Sequence, residues 1–306
     1  MIQPSDLPDI QKACVQTLND GLFEQNKIRV QVLRLDKIHS IISGNKWFKL
    51  KYYLTDATRL GKKGIISFGG AFSNHLLSTA YSCRQAGLSS IGIVRGEKPS
   101  IYSPTLLDLQ SYGMELHFYS RPAYNDKQLS KALQQSYPDF LLVEEGGRGQ
   151  AGIKGAEDIL RVQPSHLYTH IVCAVGTGTM MTGILNTALA DQKIIGLPVL
   201  KIETNNRNDI FDYISNNSHS SNFRLQYDFH FGGYAKKNEA LIEFMNRLYQ
   251  QHQVPTDFVY TGKLFYGVFK MIENGFFEPG SSILLIHSGG LQGNRSLPVH
   301  MLDFSY

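Results

Sequence analysis

The sequence predicts an α/β protein of two domains, with parallel sheets flanked by helices. Four short apolar runs recur at a spacing typical of βα units. They occupy residues 64–68, 90–94, 114–118 and 140–143. Helical periodicity fills the gaps between them, at residues 74–86, 104–112 and 125–136. Because strand and helix alternate strictly, each strand is expected to run parallel to its neighbours.

A second α/β block follows the first. Its predicted strands lie at residues 169–175, 197–202 and 282–286. The Gly-rich stretch 144–150 has the composition of a linker that returns the chain to the domain in which it began. We therefore predict a large domain formed by residues 1–46 and 146–306, interrupted by a small domain formed by residues 47–145.

The remaining segments have less regular patterns. Helical spacing predicts a helix over residues 5–20, and alternation of polar and apolar residues predicts a strand over residues 28–35. Helices are also predicted at residues 47–54 and 153–162. Residues 204–224 are polar and rich in Asn and Ser, which predicts a loop or a mobile excursion.

Composition narrows the class of ligand. Of the 306 residues, 42% are hydrophobic and 18% are charged, a mixture typical of globular proteins. The net charge of +4 is weakly basic, and no Lys/Arg run is interleaved with aromatic residues as a nucleic-acid groove requires. This balance favours a small anionic ligand and predicts no nucleic-acid partner.

Cysteine spacing and the N-terminus bear on the compartment. Cys14, Cys83 and Cys173 lack the short spacings of a zinc site or a disulfide framework, so we predict no metal site and a reducing compartment. The first residues lack a basic and apolar leader, and no stretch approaches the ~20 apolar residues of a membrane span. We expect a cytoplasmic protein that does not bind membranes.

Lys46 lies where the turn residues 43–45 give way to a predicted helix. A lysine held there in a poorly hydrated cleft, or near another cation, has a lowered pKa and can attack a carbonyl as the free amine. The alternative is a surface lysine in a basic patch, since Lys49 and Lys51 follow at once.

A Gly/Thr loop follows the predicted strand 169–175. Its residues are Gly176, Thr177, Gly178 and Thr179. Backbone N–H groups, a helix dipole and two hydroxyls converge there, which predicts a phosphate-ester site. A dinucleotide site would need glycine where Met181 stands, although Glu203 keeps that alternative open. A purely structural turn is the other alternative.

Polar residues also follow two further strands. Ser73, Asn74 and His75 offer a hydroxyl, an amide and an imidazole at a helix start, which suits a carboxylate or a ring oxygen. The alternative there is an ordinary helix cap. Tyr260 is a candidate proton donor, and Ser288 is placed to hydrogen-bond a heteroaromatic nitrogen. Taken alone, Tyr260 would be interpreted as a packing residue, and Ser288 would be interpreted as part of a turn.

Together these motifs resemble pyridoxal-phosphate enzymes of the tryptophan-synthase-β fold type, and within it the 1-aminocyclopropane-1-carboxylate deaminase and D-cysteine desulfhydrase family. The resemblance covers most of the chain and rests on five ordered motifs. They are residues 43–46, 73–75, 176–179, 260–263 and 287–290. The resemblance implies pyridoxal 5'-phosphate as cofactor, a small amino acid as substrate and a homodimer.

The resemblance also implies a role for each matching position. Lys46 matches the lysine that bonds the cofactor and removes the α-proton, while Ser73 and Tyr260 match the other catalytic residues. The implied cofactor-binding residues are Lys46, Asn74, Gly176, Thr177, Gly178, Thr179 and Ser288. The implied substrate-binding residues are Ser73, Asn74, His75, Lys49, Tyr234, Tyr260 and Thr261.

Departures from the family pattern bear on the substrate. Deaminases of the cyclopropane amino acid have Glu where Thr261 stands and Leu where Ser288 stands, whereas the D-cysteine enzymes have Thr at both positions and His at that of His75. A carboxylate beside the pyridine nitrogen gives the strong electron sink that ring opening needs, while a hydroxyl gives a weaker one. That weaker sink still permits α-proton removal followed by loss of a β leaving group.

We therefore predict a pyridoxal-phosphate-dependent α,β-elimination that converts D-cysteine into pyruvate, sulfide and ammonia. Deamination of 1-aminocyclopropane-1-carboxylate is the alternative. A β-replacement synthase of the cysteine-synthase type, and a cofactor-binding protein without turnover, are further alternatives.

Overall fold

The computed structural model describes residues 7–201 and 207–305. The strands are β1 (Cys14–Leu18), β2 (Arg29–Arg34), β3 (Gly64–Gly69), β4 (Ser89–Arg95), β5 (Met114–Tyr119), β6 (Phe140–Val143), β7 (His170–Val175), β8 (Lys193–Pro198), β9 (Phe223–Leu225) and β10 (Ser282–His287). The α-helices are α1 (Gly21–Gln25), α2 (Asn45–Arg59), α3 (Asn74–Gln85), α4 (Pro104–Ser111), α5 (Arg121–Tyr124), α6 (Leu129–Ser136), α7 (Gln150–Glu157), α8 (Thr179–Thr187), α9 (Arg207–Asn217), α10 (Glu239–His252) and α11 (Thr261–Glu273).

The larger sheet has six strands in the order β1-β2-β10-β7-β8-β9. All neighbouring strands are parallel except β1 and β2. Successive side chains of β7 point to opposite faces, so Val172 joins a core with α10 and α11, while Ile171 joins a core with α7 and α8. Burial on both faces explains why β7 and β10 are continuous apolar runs, and it confirms both as predicted strands.

The smaller sheet has four parallel strands in the order β5-β4-β3-β6. The four predicted apolar runs are confirmed as these strands. All of them lie within residues 47–145, the stretch that we propose as a small domain. Helix α2 contacts both halves of the molecule, since Phe48 packs in a core of the larger sheet and Leu50 packs with Ile65 of β3.

The helix predicted over residues 5–20 was wrong. Its described part contains β1, preceded by a single 3-10 turn at Ile10–Lys12. β1 pairs antiparallel with β2, and Leu18 is buried in the core. This pairing between distant parts of the chain outweighs the local helical spacing.

The predictions after residue 190 also needed correction. The strand predicted at 197–202 is instead β8, which begins at Lys193 and ends at Pro198. Ile202, Glu203 and residues 204–206 lie outside the described residues.

The rest of the predicted excursion, up to residue 224, is not a simple loop. It contains α9 and the start of β9. Ile214 of α9 is fully buried against the core of the larger sheet, and Phe223 pairs with Ile194 of β8. These two contacts give order to a polar stretch whose composition alone predicts none.

None of the described helices combines the length and the hydropathy that a bilayer crossing demands.

Candidate active site

A cavity of about 740 Å³ opens where the carboxyl ends of the strands of both sheets meet. Its size is within the ~300–1,000 Å³ of small-molecule sites. The loops after β3, β4, β5, β6, β7 and β10 contribute to its wall, together with the first turn of α2. The wall includes these predicted site residues: Lys46, Lys49, Ser73, Asn74, His75, Gly176, Thr177, Gly178, Tyr234, Tyr260 and Ser288. Thr179 and Thr261 are fully buried and do not line the cavity.

The turn before α2 fixes Lys46 against the end of β10. Gly44 has φ +65°, and a Cβ placed on it would lie 1.8 Å from the backbone oxygen of Ser288. The backbone N–H of Asn45 donates to that same oxygen at 3.0 Å. Only glycine permits so close an approach, so the sequence of this turn sets where Lys46 enters the cavity.

Lys46 is half-buried, and its amine lies inside the cavity. Its Nζ donates to Asn45 Oδ1 at 2.9 Å and lies 5.8 Å from the centroid of the Tyr260 ring. Burial lowers the pKa of Lys46 to about 8, although the charge of Asp257 opposes the shift. A substantial fraction of free amine is therefore present near neutral pH.

Asp257 is a buried carboxylate that the sequence did not single out. Its oxygens accept hydrogen bonds from the backbone N–H groups of Val259, Tyr260 and Thr261 at 2.9–3.0 Å. The Thr261 hydroxyl donates to it at 2.7 Å. Burial raises the pKa of Asp257 and these bonds oppose the rise. Since all four partners donate, they favour the carboxylate over the neutral acid, and Thr261 acts on the site through Asp257.

The three lysines of α2 have different surroundings. Lys49 Nζ donates to the backbone oxygen of Gly146 at 3.0 Å, inside the cavity. Burial, followed by the charge of Lys46, holds the pKa of Lys49 well below its usual range. Lys51 instead forms an ion pair with Asp158, away from the cavity.

The Gly/Thr loop has the geometry of an anion site. Gly178 adopts φ +85°, and a Cβ there would lie 3.0 Å from the ring of Tyr213. α8 begins at Thr179, so the free N–H groups of its first turn lie beside this glycine. The Thr177 and Thr179 hydroxyls are 3.0 Å apart. A glycine that packs this closely at a helix N-terminus, beside two hydroxyls, suits a phosphate.

The loop after β3 serves two purposes. The Ser73 hydroxyl accepts from the N–H of Leu76 at 3.1 Å, so the helix-cap interpretation is correct for this residue. Asn74 Nδ2 donates to the backbone oxygen of Gly290 at 3.1 Å and so links α3 to the end of the larger sheet. Asn74 Oδ1 is buried and has no hydrogen-bond partner in the described part of the chain. It is an acceptor that a ligand donor would satisfy.

His75 is held as a neutral imidazole. Ser67 Oγ donates to the backbone oxygen of Val143 at 2.8 Å, which uses its only proton. The contact of 2.9 Å between Ser67 Oγ and His75 Nε2 therefore has the imidazole as donor. Burial, followed by the charges of Lys46 and Lys49, holds the pKa of His75 well below its usual range.

Two tyrosines, Tyr234 and Tyr260, line the same cavity as Lys46. The ring centroids of Tyr234 and Tyr260 are 6.1 Å apart. Burial raises the pKa of both phenols, most strongly for Tyr260, so both are neutral proton donors. The ammonium of Lys263 holds the loop before Tyr234 by donating to the backbone oxygens of His230 at 2.9 Å and Gly233 at 2.7 Å.

Sequence reasoning missed several charged residues on the cavity wall. They are Arg95, Arg121, Glu145 and Lys236. Arg95 ends β4, Arg121 follows β5, and Glu145 follows β6. In a parallel sheet these positions share one edge with the loop after β3. Their place at strand ends was the signal that could have identified the first three.

The cavity fits a phosphorylated pyridine aldehyde. The loop at Gly178 offers a phosphate cradle, Lys46 offers an amine of lowered pKa, and Asn74 Oδ1 offers an unpaired acceptor. Ser288 lines the same wall. Within the described residues, no cluster of His, Cys, Asp or Glu has a geometry that could hold a metal ion, and the three cysteines are free.

Comparison with known sequences agrees with this chemistry. A family model described as "Pyridoxal-phosphate dependent enzyme" matches residues 20–289. A putative 1-aminocyclopropane-1-carboxylate deaminase of Pyrococcus abyssi is 29% identical over 299 residues, covering 90% of this chain and 88% of that protein. A bifunctional D-cysteine desulfhydrase/1-aminocyclopropane-1-carboxylate deaminase of Arabidopsis thaliana is 27% identical, covering 82% of this chain and 70% of that protein.

Solved structures share the fold. A homologue of 1-aminocyclopropane-1-carboxylate deaminase superposes with a TM-score of 0.78 at 24% identity, covering 95% of this chain and 96% of that one. Serine racemase from Dictyostelium discoideum superposes with a TM-score of 0.68 at 15% identity, covering 91% of this chain and 92% of that one. These likenesses confirm the predicted α/β fold of the tryptophan-synthase-β type, with mostly parallel sheets flanked by helices.

Proposed function

The chain belongs to the family of pyridoxal-phosphate dependent enzymes, and we propose that it catalyses α,β-elimination on a small amino acid, with D-cysteine as the substrate that the family comparison favours over 1-aminocyclopropane-1-carboxylate. The products would be pyruvate, sulfide and ammonia. The observation that carries the proposal is the convergence, in one cavity, of the Lys46 amine, the cradle at residues 176–179 and the polar loop at residues 73–75. The similar proteins include one named as a bifunctional D-cysteine desulfhydrase, which supports the reaction class.

The cofactor would be held from three sides. The loop 176–179 would bind its phosphate, Lys46 would bond its aldehyde, and Asn74 would lie beside its ring oxygen. Ser288 would offer a hydroxyl to the ring nitrogen. When bound, pyridoxal phosphate supplies an electron sink for bonds at the substrate α-carbon.

The chain's own residues would bind the substrate and move the protons. The start of α3, with Ser73 and Asn74, would bind the α-carboxylate through N–H groups, a hydroxyl and an amide. Lys49 and Tyr234 would bound the substrate space. Lys46, once released, would take the α-proton as a free amine, which its pKa of about 8 permits. Tyr260, a neutral phenol, would protonate the departing sulfur.

Two residues favour D-cysteine over the cyclopropane amino acid. Ser288 is a neutral hydroxyl on the cavity wall, and a neutral group stabilises a protonated pyridine nitrogen less than a carboxylate does. His75 matches the histidine that the resembled D-cysteine enzymes have at this position, and it is a neutral imidazole here. Thr261 is the third position at which the two groups of the resembled family differ. It acts on the site only through the hydrogen bond that its hydroxyl donates to Asp257.

Deamination of 1-aminocyclopropane-1-carboxylate is the second candidate, because several similar curated proteins have that name. Purified holoenzyme should be assayed with this substrate for 2-oxobutyrate, and with D-cysteine and L-cysteine for pyruvate and sulfide. We expect pyruvate and sulfide in equal amounts from D-cysteine. Release of 2-oxobutyrate alone would instead establish the deaminase.

Two further outcomes test the remaining alternatives. A new amino acid formed from an O-activated serine and an added thiol would establish a β-replacement synthase. A cofactor band without turnover of any D- or L-amino acid would refute the proposed enzyme activity. The proposal also includes a homodimer in the cytoplasm, which sedimentation of the purified protein and localisation of a tagged chain would test.

A further inference from the structure

We propose that the cavity selects amino acids whose β substituent ends in an anionic group, and that Arg95 and Arg121 bind this group. The inference rests on the proposed function, since it concerns the substrate of the same site. It adds a recognition element for the distal end of the substrate, beyond the α-carboxylate.

The two arginines lie at one edge of the smaller sheet. Arg95 is the last residue of β4, and Arg121 is the first residue of α5, two residues beyond the end of β5. β4 and β5 are parallel neighbours in which Arg95 pairs with Tyr119. Both arginines therefore point from the same edge as the loop 73–75, and both line the cavity.

Arg95 is held in place before any ligand arrives. Its guanidinium carbon lies 5.8 Å from the ring centroids of both Tyr124 and Tyr234. These cation–π contacts restrain the guanidinium, whose N–H donors lie along the edge of its planar group. A guanidinium so restrained loses little conformational entropy when it binds a carboxylate, sulfonate or sulfate.

The charges of the wall are unbalanced on this side. Glu145 is the one acid among the lining residues that the structure describes, whereas Arg95, Arg121 and Lys236 line the wall in addition to the two lysines of α2, Lys46 and Lys49. Within residues 7–201 and 207–305, none of Arg95, Arg121 and Lys236 forms an ion pair with a carboxylate. Burial raises the pKa of the Glu145 carboxyl, and the charge of the nearby Arg95 guanidinium opposes this rise. One acid does not neutralise three cations.

The cofactor does not account for this surplus of positive charge. Its phosphate has the cradle at residues 176–179, which consists of Gly and Thr and lies at the end of β7 in the other sheet. The α-carboxylate has the start of α3. A second anion on the substrate is the ligand chemistry left for the arginines.

Binding of a matched pair of unreactive amino acids tests the inference. Glutamate and norvaline have the same five-carbon chain, and differ in whether it ends in a carboxylate or a methyl group. We expect calorimetric titration of the holoenzyme to give at least ~10-fold tighter binding of glutamate in one enantiomeric series, as a charged hydrogen bond typically provides. Added salt should reduce the ratio, because Arg121 and Lys236 are exposed. Equal binding of the two ligands, or binding of neither, overturns the inference.

Three variants locate the effect. Arg95→Gln and Arg121→Gln should each reduce the ratio of glutamate to norvaline affinity, and Arg121→Gln does so without disturbing the tyrosines. Arg59→Gln, which removes an exposed arginine of α2 paired with Asp56, is the control and should leave the ratio unchanged. Loss of affinity for both ligands by the same factor in both cavity variants would show general anion attraction and overturn the assignment.

Turnover separates this inference from the proposed function. O-succinylserine and O-acetylserine are both esters that release a carboxylate as the leaving group, succinate and acetate respectively, and only the first has a free carboxylate at its far end. We expect pyruvate release with a higher kcat/KM from O-succinylserine, and a smaller preference in Arg121→Gln. If no amino acid yields pyruvate, the proposed function fails while the titration still decides the binding inference.

Discussion

At the scale of the residue, burial is the main cause of the lowered pKa of Lys46. Its pKa of about 8 means that the amine becomes free as the pH rises through 8, whereas an ordinary lysine needs a pH near ~10.4. We therefore expect the rate at which the apoprotein regains its cofactor band to rise with pH around a midpoint near 8. Asp257→Asn removes the charge that favours the ammonium, so its midpoint should be lower. A midpoint above pH 10 would contradict the burial of this amine.

The neighbouring lysines provide matched variants for the cofactor bond. Lys46→Ala should abolish the visible absorption band of the bound cofactor, because no other amine replaces it at that position. Lys51→Ala should keep the band, since Lys51 pairs with Asp158 away from the cavity. Lys49→Ala should keep the band and raise KM, because Lys49 faces the substrate space. Loss of the band in Lys51→Ala alone would overturn the assignment.

Single residues also show how far the sequence could predict this site. Lys46, Asn74 and Gly178 belong to local turn-to-helix patterns, so their neighbours in the chain made them candidates, and the combination of five ordered motifs carried the prediction. Asp257 and Arg95 matter through partners that only the fold brings near. Thr261 matched a family position, yet its hydroxyl is committed to Asp257 inside the protein.

At the scale of the element, the turn into α2 depends on Gly44. Gly44→Ala would place a Cβ 1.8 Å from the Ser288 oxygen at a φ of +65°. We expect a loss of at least ~3 kcal/mol in the free energy of unfolding, together with weaker cofactor binding. Gly61→Ala is the control, because its φ is +61° and nothing lies within 4 Å of the added atom. It should cost only the ~1–2 kcal/mol of the backbone conformation. Equal losses in denaturant unfolding would contradict the close approach.

The loop that carries Tyr234 is a second element whose position depends on one buried side chain outside it, that of Lys263. Phe231 and Gly233 adopt φ of +54° and +122°, and the buried ammonium of Lys263 binds two carbonyls of this loop. Lys263→Met should cost ~2–3 kcal/mol of stability and raise KM several-fold, with cofactor affinity unchanged. Lys270→Met changes an exposed lysine of the same helix and should alter stability by less than ~1 kcal/mol. An unchanged KM in Lys263→Met would refute the anchoring role.

Elements were predictable where local pattern and fold agree. β3, β4 and β7 are apolar runs bounded by turn residues, and both faces of each strand are buried. β1 and α9 were missed for the opposite reason. Their stability comes from an edge pairing with β2 and from packing against α8, which no short window of sequence contains.

At the scale of the whole molecule, the cavity belongs to neither sheet alone. The larger sheet supplies the loop at residues 176–179 and Ser288, while the smaller sheet supplies the loop at residues 73–75 and Arg95. Asn74 bonds to Gly290 across the cleft, and α4 is linked to the segment after β10 by the ion pair between Asp108 and Arg295. A ligand that fills the cavity therefore contacts residues from both sheets, and it should stabilise the parts of the molecule built on each sheet together.

This arrangement predicts the effect of removing the cofactor. Because a ligand that binds only the folded state adds RT ln(1 + [L]/Kd), a hundredfold excess over Kd should raise the free energy of unfolding by ~2.7 kcal/mol. We expect the Tm of the apoprotein to rise steadily with added pyridoxal phosphate, in one cooperative transition. Lys46→Ala, which keeps the phosphate cradle but not the bond, should show a smaller rise, and Lys51→Ala should match the unaltered chain. A Tm independent of the cofactor, or a rise confined to one of two separate transitions, would show that the two halves do not share the site.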